Sequence, residues 1–368
     1  MARPAEVVSH VSDDTAGRHG GAVDGCRGPP MFPNPQPARP IADRPIATMV
    51  IDAEEDFDWL RPFAGTAYTT DCMRNVGDLQ AIAEGWDLRP TYLLTYPILQ
   101  DAVAVRALRR HLERGDCALG LQLHTWVTPP LGGETVIADS FSGNLPPAME
   151  ERKLLALKTA FVSRFGVEPV VFRSGRYGLS ATTTTLLEKH GFEVDTSLAP
   201  RTNLSIEGGP DFSRFEYLPF WFGAERRLLE IPLCRSIVGW GGKLLGALFQ
   251  KLVQPPLVEL RISSVLTRSR AAERITLSPE GNDLAAIRRL VRRLVARGCT
   301  VLPLSFHSSS LVVGRNPYVG SKAQLHAFYD RLSATLAFLG DDVGCHFASL
   351  PQVPAMMRPL LIQPAAAA

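Results

Sequence analysis

The chain has 368 residues, 45% of them hydrophobic and 21% charged, which is globular composition and excludes collagen-like, coiled-coil and largely disordered chains. A formal net charge of +2 gives no global electrostatic case for nucleic acid or membrane partners. Cys26, Cys72, Cys117, Cys234, Cys299 and Cys345 are scattered without a CxxC pair, so neither a disulfide framework nor a cysteine zinc site is expected. The N-terminus lacks the apolar run of a secretion signal, and no stretch approaches the roughly 18 consecutive apolar residues of a membrane span. The expected location is cytoplasmic, with no integral membrane segment.

Residues 1–45 hold eight prolines and five glycines and read as a disordered tail. Residues 46–360 read as one barrel domain, and 361–368 as a second short tail. Within the domain, strand-like and helix-like segments alternate. ATMVID (47–52) is a strand, 71–85 carries helical spacing, and PTYLLTY (90–96) is the next strand. The helix DAVAVRALRRHLERG (101–115) ends at Gly115 and leads into CALGLQLH (117–124). A helix near 149–165, the strand PVVFR (169–173), a helix near 180–190 and FEVDTS (192–197) follow. LLEIPL, a Leu-rich stretch (243–253), ITL, the helix 283–298 and CTVLPLSFH (299–307) continue the series. A helix over 321–339 and a strand near 344–349 close it. This alternation predicts an α/β protein with a parallel sheet in a closed or nearly closed (β/α) barrel.

Polar clusters fall at the strand ends, where such barrels keep their active sites. IDAEEDFDW puts Asp52, Glu54, Glu55, Asp56 and Asp58 within seven residues. An acidic run is ordinarily a solvated loop, but this one begins at the end of an apolar strand, where crowded charge asks for a cation. Asp52 and Glu54 share one side by strand alternation, so one carboxylate can hold a metal while the other acts as a base. His124 ends LGLQLH, with Gln122 on the same face; an imidazole beside a carboxylate suits zinc. FRSGRYG brings Arg173, Arg176 and Tyr177 out of another strand. An arginine there would orient a carboxylate, and the Tyr177 hydroxyl or backbone N–H groups could hold an oxyanion. Asp195 ends FEVDTS, and His307 ends VLPLSFH as a candidate general acid. Ser308, Ser309 and Ser310 follow it without a GxSxG elbow and read as turn caps.

The basic face of 283–298, with Arg288, Arg289, Arg292, Arg293 and Arg297, reads as solvated surface. The Leu-rich stretch reads as core, with docking on a membrane or partner as the other possibility.

Taken together and in order, IDAEEDFDW, HTWVTPP, SGNLPP, FRSGRYG, VDTS, LSPEG and LSFHSSSL resemble the polysaccharide deacetylase (NodB-homology) family, in its WalW-like branch. The resemblance covers nearly all of 46–355. It implies a distorted (β/α)7 barrel and a divalent metal, usually zinc, that activates water against the N-acetyl group of a saccharide. Carried over residue by residue, it puts the base on Asp52 and the metal carboxylate on Glu54. It puts the metal histidine on His124, the base-orienting arginine on Arg173, the oxyanion position near Tyr177, the general acid on His307 and a supporting carboxylate on Asp195. Two departures stand out. Thr128 occupies the spacing of the family's second metal histidine, and Gln122 stands where relatives often show a further one. Asp52-Ala53-Glu54 also replaces an adjacent Asp pair. The leading expectation is removal of N-acetyl groups in exopolysaccharide or cell-envelope metabolism. The alternatives are hydrolysis of a small non-sugar amide and a barrel that binds saccharide without catalysis. Glycoside hydrolysis by paired carboxylates leaves His124 and His307 without a role.

Overall fold

A computed structural model describes residues 31–57, 68–132, 136–253, 257 and 262–359. Asp58 of the acidic run and both ends of the chain lie outside the described residues. The strands are β1 (Gln36–Pro40), β2 (Ile46–Ala53), β3 (Thr91–Leu94), β4 (Ala118–Leu123), β5 (Val171–Ser174), β6 (Val194–Asp195) and β7 (Phe220–Phe222). After them come β8 (Leu228–Glu230), β9 (Arg235–Val238), β10 (Glu273–Thr276), β11 (Val301–His307), β12 (His346–Phe347) and β13 (Met357–Pro359). Seven of them, in the order β11-β2-β3-β4-β5-β6-β8, pair in parallel and curl into the barrel wall. The gap between β11 and the chain leaving β8 is bridged by one residue's backbone. Ser305 N–H donates to the Leu277 carbonyl at 3.1 Å, and Leu277 N–H donates to that of Cys234 at 2.8 Å. The antiparallel strands β7, β1 and β13 extend the sheet beyond β8.

Strand alternation sorts the side chains into two sets. Ala47, Met49 and Ile51 of β2, Leu119, Leu121 and Leu123 of β4, and Leu302, Leu304 and Phe306 of β11 belong to the outer core that the helices cover. Ile46, Val50, Leu93, Val171, Val194, Leu229 and Val301 form a second cluster inside the barrel. Ala348, Leu350, Val353 and Met357 join it, next to β12, which pairs with the first residues of β2. The C-terminal segment thus plugs the amino end of the barrel and leaves the carboxyl end for the polar residues. Gly120 is part of the fit: a Cβ there would sit 2.8 Å from both Leu93 Cδ2 and Val171 O.

Helix starts follow ordinary capping chemistry. Asp101, Ser180, Asp283 and Ser321 each accept a backbone N–H in the first turn of the helices that begin at 102, 181, 284 and 322. The basic face of Leu284–Val295 is engaged with its surroundings. Arg289 pairs with Glu273 at 2.9 Å, and Arg288 and Arg292 lie over the Phe338 ring.

The domain begins earlier than the composition predicts. Residues 36–40 of the expected tail form β1, between β7 and β13, and Phe32 is buried edge-on against Phe215, Phe220 and Phe222. One buried aromatic anchors a proline-rich segment whose pairing is divided, residues 36–37 with β7 and residues 38–40 with β13.

Glu150, in the first turn of the helix Pro147–Phe165, is buried and accepts from Thr183 Oγ1 at 2.5 Å. Burial pushes its pKa up to about 7 from 4.5. Folding therefore favours its protonated form, and that contribution is present below about pH 4.5 and lost as pH rises through about 7. A Glu150→Gln variant keeps an acceptor for Thr183 without titrating. Its stability relative to wild type, measured by chemical denaturation, is expected to rise by up to about 3 kcal/mol between acid and mildly alkaline pH. A difference flat with pH would refute this.

Candidate active site

The inward parity of the apolar plug continues upward along the same strands. In β2 the inward series 46, 48, 50 ends at Asp52; in β4 it passes Gly120 to Gln122, in β5 it reaches Arg173 and in β11 His307. Ladder register places His307 opposite Asp52 and Gln122 opposite Arg173. Asp52, Gln122 and Arg173 are buried, as are Glu54 and His124, each one residue past a strand.

Arg173 organises one half of the layer. Its Nη1 donates to Asp52 Oδ1 at 2.5 Å, its Nε to the Thr196 carbonyl and its Nη2 to Thr196 Oγ1, both at 3.1 Å. These bonds use the planar fork of a guanidinium and hold the carboxylate at a fixed angle. The other oxygen, Asp52 Oδ2, faces His307 Nε2 at 3.9 Å. His307 Nδ1 lies 2.8 Å from Glu280 Oε2, and its backbone N–H donates to Glu280 Oε1 at 2.9 Å. Ser310 Oγ also donates to Glu280 Oε1. Burial pushes the His307 pKa down, but Glu280, Glu54 and Asp52 outweigh it and hold the pKa well above the usual histidine range.

His124 organises the other half. Its Nδ1 lies 2.8 Å from Glu55 Oε1, its Nε2 3.4 Å from Glu54 Oε2 and 3.2 Å from Gln122 Nε2. The ring stacks on Trp126 at 4.2 Å. Lys153 fixes the following loop by donating to the carbonyls of Thr125, Thr128 and Pro130. Gly175 is required behind the ring, since a Cβ there would lie 2.6 Å from His124 Cδ2 and 2.5 Å from the Leu123 carbonyl oxygen. With Nδ1–H directed at Glu55, the Nε2 lone pair is left for a ligand on the Glu54 side, as carboxylate–histidine pairs commonly arrange for metals. Glu54 itself is pushed up to about 7 by burial, with His307 and His124 opposing the rise and Glu55 and Asp52 adding to it.

Among the described residues no three His, Cys, Asp or Glu side chains come together as a metal-holding group. The set here is one imidazole and one carboxylate, with an amide beside them. Two buried oxygens in it, Glu54 Oε1 and Gln122 Oε1, have no hydrogen-bond partner among the described residues, a costly state that a cation would relieve. Two donors on a tetrahedral ion bound at about 2.0–2.1 Å lie about 3.4 Å apart, the separation of His124 Nε2 and Glu54 Oε2. Rotation of the Gln122 amide would present its oxygen to the same side. The residues fit a divalent ion held by His124, Glu54 and Gln122.

Other sequence-predicted residues sit elsewhere. Asp56 braces a turn, accepting from Thr69 Oγ1 and the Cys72 N–H. Arg176 turns away to Ser140 and Glu207 and lies over the Phe141 ring. Tyr177 packs its ring on the outer core, and no hydrogen bond joins its hydroxyl to the cluster among the described residues. Both have positive φ, 51° and 61°, so the turn after Arg173 is strained. Asp195 has the opposite parity to the inward Val194. It pairs in register with Glu230 and accepts from Ser197 Oγ, forming a buried acid pair on the other face of the sheet that still feels the Arg173 charge. Burial pushes Asp195 up to about 6 and Glu230 well above the usual carboxylate range, the nearby Asp195 charge adding to the rise of Glu230. Sequence reasoning missed Glu280 and Glu230 as partners and left Glu55 without a role. LSPEG and LLEIPL carried the first two signals, each an acid at a strand or turn end.

No protein-family model matches the chain, and no curated protein sequence does either. Solved structures do. A Mycobacterium smegmatis protein assigned as a polysaccharide deacetylase is 17% identical, with a TM-score of 0.48, over 89% of this chain and 98% of that one. Puue allantoinase is 13% identical, with a TM-score of 0.50, over 84% and 89%. A Pseudomonas aeruginosa PAO1 protein, also assigned as a polysaccharide deacetylase, is 13% identical, with a TM-score of 0.48, over 84% and 90%. At such identities the likeness concerns the fold alone, and the fold of this chain is a distorted barrel of seven parallel strands similar to that of Puue allantoinase.

Proposed function

We propose that this barrel is a metal-dependent hydrolase that removes N-acetyl groups from a saccharide. The observation that carries the reading is the inward polar layer, in which Asp52 lies between Arg173 and His307 beside the Glu54–His124 pair. A divalent ion held by Glu54, His124 and Gln122 would supply Lewis acidity toward the amide carbonyl and lower the pKa of water toward ~7. Zinc is the first candidate, and the carboxylate and amide oxygens also suit harder ions.

The chain's own groups divide the proton work. Arg173 occupies Asp52 Oδ1, so Oδ2 is the atom that takes the proton from the attacking water. Glu280 fixes His307 through Nδ1, which leaves Nε2 as the edge that protonates the departing amine as the C–N bond breaks. The Glu280, Glu54 and Asp52 carboxylates around that imidazole raise its pKa and favour the charged form a general acid requires.

The test is metal stoichiometry of the purified protein by mass spectrometry, with acetate release from N-acetylated oligosaccharides. About one equivalent of a divalent ion, lost in His124→Ala, and acetate release that stops in Asp52→Ala are expected. No metal after incubation with zinc, cobalt or manganese would overturn the reading. Saccharide binding indifferent to chelators would then mark a non-catalytic barrel, the reading that Thr128 in place of a histidine favours. Metal binding with turnover of a small cyclic or linear amide, and none of acetylated sugars, would move the substrate class toward that of Puue allantoinase.

A further inference from the structure

The chain between β9 and β10 forms two helices that leave an apolar face uncovered. The first, Gly242–Leu252, buries Phe249 and Leu252 but turns Leu244 and Leu248 outward. Leu244 and Leu248 stand at four-residue spacing on one face of this helix, and Trp240 lies just before its start, beyond Gly241 and Gly242. Trp240 is 74% exposed and Leu244 82%. The second helix, Ile262–Arg268, packs against the first and adds Val265, 63% exposed. Trp240 Nε1 donates to the Ser269 carbonyl at 2.9 Å, so the indole's polar group is satisfied while its ring stays in solvent at the end of the helix that carries Val265. Scattered apolar surface residues need no explanation, but neighbours on two packed helices form a patch.

Charge decides what covers it. Residues 240–270 contain Lys243, Lys251, Arg261, Arg268 and Arg270 against Glu259 as their one acid, although the whole chain is near neutral at +2. Lys251, Arg268 and Arg270 are exposed and in no ion pair among the described residues. A second copy of this chain would bring the same positive charge to the same patch, so self-association is opposed by like charge. A lipid surface with anionic headgroups meets both demands, apolar depth for tryptophan and leucine and negative charge for the rim.

We propose that this two-helix insertion docks the protein on an anionic bilayer surface. Trp240, Leu244 and Val265 enter the headgroup region, and Lys251, Arg268 and Arg270 lie against the lipid phosphates. The contact is peripheral, since no helix among the described residues is long and apolar enough to cross a membrane. It uses none of the residues in the barrel layer.

The test is co-sedimentation of the full chain with vesicles of equal parts phosphatidylglycerol and phosphatidylcholine, and with phosphatidylcholine alone. Pelleting is expected on the anionic vesicles, falling with added salt and weak on the neutral ones. A Leu244→Ser/Val265→Ser double variant, altered only at exposed positions and checked for an unchanged melting temperature, is expected to bind at least about tenfold more weakly. No pelleting on anionic vesicles, or equal pelleting of the double variant, would overturn the proposal. So would a concentration-dependent dimer that the double variant abolishes, because a second copy would then cover the face.

Discussion

Replacing Arg173 with methionine is expected to cost about 3–5 kcal/mol of stability, the range for removing one partner of a buried charge pair. The side chain is 1% exposed, and its bonds tie β5 to β2 and to the chain after β6. Methionine fills much of the volume, so the loss reports charge and hydrogen bonding more than a cavity. Asp52 Oδ1 would be left buried without its guanidinium, and Thr196 Oγ1 and the Thr196 carbonyl without their donor. Chemical denaturation of the two proteins measures the difference. A loss below about 1 kcal/mol would mean that water or a neighbour takes over the guanidinium's bonds.

The second large effect belongs to His307. His307→Ala is expected to lower kcat on an N-acetylated saccharide about 10²–10⁴-fold with little change in KM, the usual contribution of a positioned general acid. A quarter of the side chain is exposed, and Ser310 and the backbone N–H at 307 still donate to Glu280 Oε1 in its absence, so the fold is retained. An acetyl ester of an acidic phenol provides the control. Its leaving group departs without a proton, so the variant should keep most of its rate there. Equal loss on both substrates would remove the acid role and leave His307 as a positioning group for Asp52.

The site's backbone was readable because a strand shows its parity. Apolar residues at 47, 49 and 51 put Asp52 on the opposite face, and the same alternation sorts Arg173 and His307 inward. The pairs were not readable. That Glu55 rather than Glu54 meets His124 Nδ1, or that Glu280 holds His307, depends on loops whose path no periodicity records. Parity also puts Asp195 on the other face of the sheet, since Val194 is inward, although the Arg173 charge still reaches it. The tail boundary was misplaced because composition registers prolines and glycines and not the single Phe32 that anchors them. The Leu-rich stretch 243–253 divides its leucines, one side toward Phe249 and the barrel and the other toward solvent, a split that leucine content alone does not reveal.

The seam at Leu277 has a consequence for how such a barrel can acquire new parts. Between β11 and the chain after β8 the wall is held by two backbone hydrogen bonds through one residue, whereas β11 and β2 are laddered over seven. Extra chain inserted into the long ladder would break register along a whole strand. Extra chain inserted at the seam interrupts almost nothing, and that is where the two-helix excursion leaves after Cys234 and returns before Leu277. Three residues later the same strand end delivers Glu280 to His307. The least reinforced part of the wall is thus where the fold can vary without rebuilding itself, and variation there adjoins the chemistry.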